Sequence, residues 1–514
     1  GVNISELPAG LNTVFLFNEE RTAQQYGETD ATAIRTSLDA LVANGANGVV
    51  GAVIPVESDP AVQAAYTAWD ASPCDTDKAN DVVGGITDLL EQIRADHPAL
   101  GYVTIIGNDD MVPFARLDDL TSIANEGTFT EQFTDGALLG ALATRHYLSD
   151  DPYGDIDPVQ WLDRQLHMPE LALGRLVENP SEIINALDNF VEFNGRLDPQ
   201  TAAVAGYDFL DDGTTVIFDR LTNIYGTAFV ESLIDVTGTE AASTWTLAEL
   251  LAFLDLSDPT PGSDTADIIT VNAHSDQYRQ LPSFGDANKD ETDLFSVDDL
   301  GPLPVDGLLG NIVFTMGCHA GLSVSDIGVS TSNSADWAQA YSEQGALYIA
   351  NSGFGYGDTV SVALSERLMA EFAENLDGAT TVGQAMAFAK QEYFAQLGQY
   401  GPYDEKAMQQ VIFYGLPMYS VGTTPPPEPP EALPTALYPS LGLQAASIGI
   451  TPVYDSTTTD GIGTYLSIDG QTQNTQFRPI QPLQTIDISQ DPTELLAHGA
   501  IITEATTTDV GGFD

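Results

Sequence analysis

Two apolar runs of the sequence each end in a side chain that could take part in nucleophilic catalysis. Residues 267–273 lead to His274, and residues 311–317 lead to Cys318. Runs of about four to eight β-branched and apolar residues, bounded by turn formers, are typical of buried strands in a parallel sheet. Because open α/β sheets bind ligands at the carboxyl ends of their strands, two neighbouring strands would hold this imidazole and this thiol together. The pattern therefore predicts a Cys/His dyad.

A Cys/His dyad is suited to hydrolysis through a covalent acyl-enzyme. The thiol attacks a carbonyl, the imidazole protonates the leaving amine, and backbone amides stabilise the oxyanion. We expect the backbone N–H groups of Ser275 and Cys318 to form the oxyanion site, because strand ends that open into turns leave such groups unpaired. Taken alone, Cys318 would be read as a small buried residue and His274 as a polar cap. Their joint placement favours the dyad, whose chemistry requires no cofactor.

Strand and helix signals alternate through the first four-fifths of the chain. This alternation predicts an α/β fold with largely parallel sheets and helices on both faces. Composition divides the chain into a first α/β subdomain (1–200), a second α/β subdomain that carries the dyad (201–421), a Pro-rich linker (422–434) and a β-sandwich-like domain (435–514). The last segment is rich in Thr and Gln and shows short alternating runs, which favour a small all-β domain.

Several motifs resemble those of known cysteine peptidases. The turn at residues 317–321, Gly-Cys-His-Ala-Gly, resembles the Cys-His-Ser-Gly turn of metacaspases. Residues 102–113, the stretch 149–155 and the Gly-Arg strand at 169–176 are similar, in that order, to the first half of gingipain-type peptidases. The Gly-rich turn at 345–357 also matches their pattern. The resemblance covers roughly residues 12–421.

The resemblance implies a caspase-like two-part catalytic unit with endopeptidase activity, followed by an immunoglobulin-like β domain. It assigns the catalytic histidine to His274 and the nucleophile to Cys318. One departure bears on the oxyanion site. The family usually has Gly on both sides of this histidine, whereas Ala273 and Ser275 flank it here. Glycine permits a positive φ and a close approach of the substrate backbone.

Gingipains select Arg or Lys before the scissile bond (the P1 position) by means of an acidic pocket group. The resemblance implies that Asp155, Asp157 or Asp163 could bind a basic P1 side chain; the alternative is that they are merely solvated. We expect the turn after the strand at 345–350 to form a pocket wall. Its candidate pocket residues are Gly353, Phe354 and Tyr356.

A loop between the two dyad strands carries oxygen ligands at alternate positions, which suits a structural Ca²⁺ ion. The candidate ligands are Asp286, Asn288, Asp290 and Asp293. The EF-hand pattern fails, with Glu291 where glycine should stand and Val297 where the bidentate glutamate should stand. A solvated acidic loop without an ion is the alternative.

The charge balance excludes some classes of partner. The chain has 16 Lys and Arg against 75 Asp and Glu, a net charge of −59. Without a basic patch to neutralise phosphates, nucleic acid is not an expected partner. No apolar run reaches the roughly 18 residues of a membrane span. We expect polypeptide substrates and a secreted or cell-surface protein. Because the chain starts at Gly1, it could be part of a larger protein.

Two other functions remain open from the sequence. The first is a surface or binding module that keeps the peptidase fold but has lost activity, since the flanks of His274 are altered. The second is another thiol hydrolase on the same scaffold, such as an amidase. Because the acids are spread along the whole chain, we also expect a salt-adapted protein.

The first prediction concerns salt. Raising KCl from about 0.1 M to about 1 M shortens the Debye length from roughly 10 Å to roughly 3 Å, which screens repulsion among the carboxylates. The midpoint of thermal unfolding should therefore rise with KCl, as measured by circular dichroism. A midpoint that does not change with salt would contradict salt adaptation.

Overall fold

The structure, a computed structural model, describes residues 2–422 apart from ten short gaps. The gaps are residues 131–132, 134–135, 162–163, 235–244, 257–264, 282–293, 304–305, 326–334, 359–360 and 398–399. Beyond residue 422 it describes residues 456–459, 464–468, 472–473 and 481–482. Asp163 and the predicted calcium ligands Asp286, Asn288, Asp290 and Asp293 lie outside the described residues.

Ten strands of the described chain form one continuous sheet. In chain order they are Thr13–Phe17 (β1), Gly51–Pro55 (β2), Tyr102–Ile106 (β3), Ala172–Leu176 (β4), Ala202–Gly206 (β5), Val230–Ile234 (β6), Ile268–Asn272 (β7), Ile312–Phe314 (β8), Leu347–Asn351 (β9) and Val411–Tyr414 (β10). Their spatial order is β6-β5-β7-β8-β9-β10-β4-β3-β1-β2. Most of these strands are buried along their whole length, as expected for a parallel sheet covered on both faces.

The sheet changes direction once. All neighbouring strands are parallel except β9 and β10, which are antiparallel. The strands therefore form two parallel groups, β2-β1-β3-β4-β10 and β6-β5-β7-β8-β9, that run in opposite directions. The carboxyl ends of the two groups consequently lie at opposite edges of the sheet.

Helices cover both faces of this sheet. They are Glu19–Tyr26 (α1), Glu28–Asn44 (α2), Pro60–Asp70 (α3), Thr76–Asp96 (α4), Gly136–Ala143 (α5), Pro180–Glu192 (α6), Asp211–Tyr225 (α7), Leu247–Phe253 (α8), Trp337–Glu343 (α9), Leu364–Glu374 (α10), Val382–Gln396 (α11) and Pro402–Gln409 (α12). The predicted α/β fold is confirmed, and both halves share a single sheet.

One hydrophobic cluster joins the two halves. On one face of the sheet, side chains of α2 and α6 in the first half belong to the same buried cluster as those of α7, α10 and α11. On the other face, α3 and α4 pack in one cluster, and α5, α8 and α9 pack in another. Neighbouring residues of β1 alternate between faces, with Phe15 in the shared cluster and Val14 in the α3–α4 cluster. The shared cluster makes residues 1–427 one compact unit.

The start of α6 shows how local sequence sets an element boundary. The Asn179 side chain accepts hydrogen bonds from the backbone N–H groups of Ser181 and Glu182, and the Glu182 carboxylate accepts one from the backbone N–H of Asn179. Pro180 occupies the first turn, where its missing N–H costs nothing. Asn179, Pro180 and Glu182 are the sequence signature of a helix start, and the structure forms this capping box.

Residues 428–514 form a separate unit. Within it, Ser456–Thr459 pairs antiparallel with Thr464–Ser467, and Thr472–Gln473 pairs antiparallel with Gln481–Pro482. These pairs are β-structure, while the immunoglobulin-like arrangement stays a prediction. Among the described residues of the whole chain, no helix is long and apolar enough to cross a membrane.

Arg175, in the Gly-Arg pair of β4, is fully buried. Its guanidinium donates to both carboxylate oxygens of Asp150 and to the backbone carbonyls of Gly107 and Val112. It also lies over the ring of Phe114, 3.8 Å from the centroid. One side chain therefore supplies the hydrogen-bond donors for acceptors at Asp150, Gly107 and Val112.

The second prediction concerns this arginine. Arg175→Met should lower the free energy of unfolding by about 3–5 kcal/mol, because it leaves the buried Asp150 carboxylate without its partner. Urea unfolding monitored by fluorescence measures the change. The matched control is Arg35→Met, whose partly exposed ion pair with Asp39 should contribute at most about 0.5 kcal/mol. Equal losses in the two variants would contradict the assignment.

Candidate active site

The parallel pairing of β7 with β8 sets the positions of His274 and Cys318. Ile268 pairs with Ile312 and Thr270 with Phe314, so partners differ by 44 positions. His274 and Cys318 each lie four residues beyond the last of these pairs, and His274 itself pairs with Leu281 in a separate antiparallel sheet. A hydrogen bond joins the two turns beyond the strand pairing: the Ser275 hydroxyl donates to the Cys318 carbonyl at 2.7 Å.

Polar side chains at the strand ends hold these turns together. The Thr315 hydroxyl donates to the Val271 carbonyl at 2.6 Å, and Asn272 Oδ1 accepts from the Met316 N–H at 3.3 Å. Asn351, the last residue of β9, donates through Nδ2 to the Met316 carbonyl at 2.9 Å. Three neighbouring strands thus determine the path of the chain immediately before Cys318.

The two residues that replace glycine around His274 adopt ordinary backbone conformations. Neither Ala273 nor Ser275 has a positive φ. The Ser275 side chain lies against Gly317, where a Cβ would approach its Oγ to 2.2 Å. Close packing of these two turns therefore requires glycine at position 317, just before Cys318, and not beside His274. The departure noted in the sequence places no strain on the backbone here.

Cys318 lies in a partly buried position beside the Gly-rich loop that follows β9. Its Sγ donates to the Gly355 carbonyl at 3.5 Å. Burial raises the pKa of the Cys318 thiol to about 11. Without a bound substrate the sulfur is therefore held as a neutral thiol at physiological pH, and forming the thiolate requires a base.

Aromatic rings from the loop after β5 surround His274. The ring centroid of Phe209 lies 5.2 Å from that of His274, and the centroid of Tyr207 lies 6.4 Å away. His274 itself is partly exposed. A bound substrate or water can therefore reach the imidazole, while the two aromatic rings cover part of it.

The structure brings the predicted pocket wall next to Cys318. Gly353, Phe354 and Tyr356 flank the Gly355 carbonyl that accepts from the thiol. The Phe354 ring packs edge-on against His319, with centroids 4.4 Å apart. The Tyr356 hydroxyl bonds to Thr121 and to the Ala124 carbonyl, so the first half of the chain supports this wall.

The predicted acidic pocket residues lie in the loop before β4. The Asp155 side chain is 1% exposed and hydrogen-bonds to His167 Nδ1 at 2.8 Å. Asp157 is exposed, and its carboxylate lies with those of Asp155 and Glu170 in a group whose oxygens are within 4.8 Å of one another. Asp155 is therefore already paired, and Asp157 is the one of the two described aspartates that a solvent-borne cation can reach.

Four residues near Cys318 were not assigned roles from the sequence: Glu126, His319, Asn351 and Lys406. Glu126 and Lys406 are far from Cys318 in the sequence, and no local motif marks them. The scarcity of lysine was a usable signal, because a buried Lys in a chain with so few cations indicates a specific carboxylate partner. Asn351 could have been suspected because it is a polar residue at the end of a buried strand.

Comparisons with known proteins place this geometry in context. The sequence model of Peptidase family C25 matches residues 62–421. A solved complex of the Porphyromonas gingivalis RgpB pro- and mature domains is similar to the chain, with 13% identity and a TM-score of 0.49 over 80% of this chain and 79% of that one. A structure titled "Structure of Protease" has 10% identity and a TM-score of 0.43 over the same shares. No protein of curated function matches.

The third prediction concerns thiol reactivity. At pH about 8 and without substrate, iodoacetamide should alkylate Cys318 on the order of a hundredfold more slowly than the exposed Cys74, because burial raises the pKa of the Cys318 thiol to about 11 and only the thiolate reacts. Peptide mapping by mass spectrometry measures both rates on one sample. The Cys318 rate should keep rising as the pH approaches about 11. Equal rates at pH about 8 would contradict the buried thiol.

Proposed function

The chain belongs to Peptidase family C25, and from this premise we propose that it is a cysteine endopeptidase that uses Cys318 and His274. Family membership supports a cysteine peptidase, which hydrolyses peptide bonds without a cofactor. The observation that carries the assignment of these two residues is the parallel pairing of β7 with β8 together with the hydrogen bond from Ser275 to Cys318, which supports a close approach of the two side chains.

The proposed reaction proceeds in two stages. His274 takes the proton from Cys318, the sulfur attacks the scissile carbonyl carbon, and His274 then gives the proton to the leaving amine. Water, deprotonated by His274, next attacks the thioester, and the carboxylic acid product leaves as the thiol is restored. Because the resting thiol has a raised pKa, proton transfer to His274 is required in the first stage.

The oxyanion formed in each stage requires hydrogen-bond donors. We assign this role to the backbone N–H groups of Cys318 and Ser275. The Cys318 amide belongs to the attacking residue, so it lies close to any carbonyl that the sulfur attacks. The hydrogen bond from the Ser275 hydroxyl to the Cys318 carbonyl keeps the two turns at a constant separation. Preorganised donors of this kind stabilise developing charge without reorganising during the reaction.

We propose a preference for Arg or Lys at P1. The net charge of −59 surrounds the site with a negative field, which favours the approach of cationic peptides. Among the described candidates, Asp157 has an exposed carboxylate that could bind a basic side chain. Phe354 and Tyr356 would contact its aliphatic part.

The same charge distribution supports the proposal of a salt-adapted enzyme that acts outside the cell, on its own or within a larger surface protein. Self-repulsion among so many acids is tolerable where salt screens it. The expected Ca²⁺ site at Asp286, Asn288, Asp290 and Asp293 stays a prediction. Assays with and without Ca²⁺ address it.

The fourth prediction tests the proposed chemistry. Cys318→Ala and His274→Ala should each lower kcat/KM on a P1-diverse peptide library by at least about a thousandfold, since the two groups act as a unit. The library is assayed at low and high KCl, and the products are identified by mass spectrometry. Cleavage after Arg or Lys would support the acidic pocket, and cleavage after other residues would contradict it.

The matched control is Cys74→Ala. Cys74 is the other thiol of the chain and is exposed, so its removal should leave the cleavage rate unchanged. Cleavage that survives in Cys318→Ala would exclude this nucleophile. A wild-type protein that is folded but cleaves nothing in any salt would instead favour the binding module as its function.

A further inference from the structure

Four charged or titratable side chains form a buried cluster directly behind the Cys318 turn. They are Asp119, Glu126, His319 and Lys406, and are called the buried ion cluster below. Each side chain is at most 1% exposed. Asp119 and Glu126 come from the first half of the chain, His319 follows Cys318, and Lys406 lies on α12. The cluster therefore joins both halves of the molecule at the site.

Glu126 is the centre of this cluster. Its Oε2 lies 2.8 Å from His319 Nε2, and its Oε1 lies 2.7 Å from Lys406 Nζ. The same Oε1 accepts the backbone N–H of Phe354 at 2.8 Å. One carboxylate thus holds both the residue after the nucleophile and the loop whose Gly355 carbonyl contacts the thiol.

The charges within the cluster favour an ionised Glu126. Burial raises the pKa of Glu126, but the charges and hydrogen bonds of His319 and Lys406 outweigh this effect and lower the pKa to about 2. Lys406 also contacts Asp119 Oδ2 at 2.7 Å. Lys406 thus pairs with both carboxylates of the cluster, and Glu126 has the His319 ring nitrogen as a further partner. Buried charges persist when they are paired and hydrogen-bonded in this way.

His319 is held in an unusual backbone conformation. Its φ is 52°, in the left-handed region that residues other than glycine seldom adopt, although Asn, Asp and His do so more often than the rest. The Phe129 ring stacks on its imidazole with centroids 3.5 Å apart, and the His319 N–H donates to the Gly353 carbonyl at 2.7 Å. The surrounding contacts stabilise a turn that this sequence would not favour alone.

Gly353 shows that the chain makes room for this arrangement. A Cβ at residue 353 would approach Glu126 Oε1 to 2.3 Å. Any side chain there would displace the carboxylate or the loop. The carboxylate therefore reaches the Phe354 N–H only because residue 353 is glycine.

We propose that Glu126 and His319 are positioning residues for Cys318. Together they hold the nucleophile turn against the loop of Phe354 and Gly355, which sets where the sulfur lies relative to a bound carbonyl. This inference rests on the proposed role of Cys318 as the nucleophile. A group that fixes a reacting atom contributes to kcat, since a displacement of about 1 Å costs on the order of a hundredfold in rate.

The fifth prediction uses Glu126→Gln and His319→Asn in a Cys74→Ala background. Glutamine offers one acceptor oxygen and a donor amide, so it cannot satisfy three donors, while asparagine tolerates the positive φ but cannot reach Glu126. Each variant should lower kcat by about tenfold to a hundredfold with a much smaller change in KM.

Alkylation of Cys318 by iodoacetamide provides a readout that a merely structural role would not move. Glu126 and Lys406 are the charged side chains that act on the thiol, with opposite effects on its pKa. Removing the negative charge in Glu126→Gln should shift the alkylation profile to lower pH while kcat falls. Loss of folded protein alone would reduce kcat without displacing the profile of the folded fraction. Circular dichroism measures that fraction.

Two further variants keep the test decisive. Asp109→Asn removes one carboxylate from a different buried ion pair, with Arg116, and should leave both kcat and the alkylation profile unchanged. Phe129→Leu keeps the buried ion cluster but removes the stacking on His319 together with the ring contacts to Phe133 and Phe354, and it should also lower kcat. The proposal is overturned if folded Glu126→Gln, His319→Asn or Phe129→Leu matches the parent in kcat and alkylation. Cleavage by Cys318→Ala would instead refute the proposed function itself.

Discussion

The parallel pairing of β7 with β8 is the constraint on which the site depends. Its constant register leads His274 and Cys318 to the same edge of the sheet, and a slip by one residue would turn the side chains to the other face. Hydrogen bonds from Ser275, Thr315 and Asn351 extend this order beyond the last backbone pair. The reactive groups thus follow rigid strands and not a free loop, which limits the reorganisation needed before reaction.

The reversal of the sheet between β9 and β10 explains how the first half contributes to a site built on the second. The carboxyl ends of the first-half strands point to the opposite edge, so their own strand-end turns are remote from Cys318. Segments that precede β4 reach the site instead. Glu126 contacts His319, and Thr121 and Ala124 contact Tyr356. Each half is incomplete without the other because these contacts cross between them.

The distribution of charge differs between the surface and the interior. The chain has four lysines, and two of them, Lys390 and Lys406, are buried against carboxylates. Arg175 is buried against Asp150 in the same way. These few cations thus lie beside buried carboxylates that would otherwise lack a partner. A buried carboxylate without a partner would destabilise the fold by several kcal/mol or more. An acidic surface is therefore compatible with an interior in which the buried carboxylates have cationic partners.

The sequence alone determined the α/β alternation, the helix start at Asn179 and the equal spacing of the two reactive residues along their strands. These features follow from periodicity and local capping, which act over a few residues. Only the tertiary structure decided that Gly317 accommodates Ser275, that Asp155 is paired with His167, and that Glu126 lies behind the nucleophile. Glu126 and His319 are 193 positions apart, and nothing local to either residue encodes their contact. Such contacts arise only when the folded sheet brings both halves of the chain to one edge.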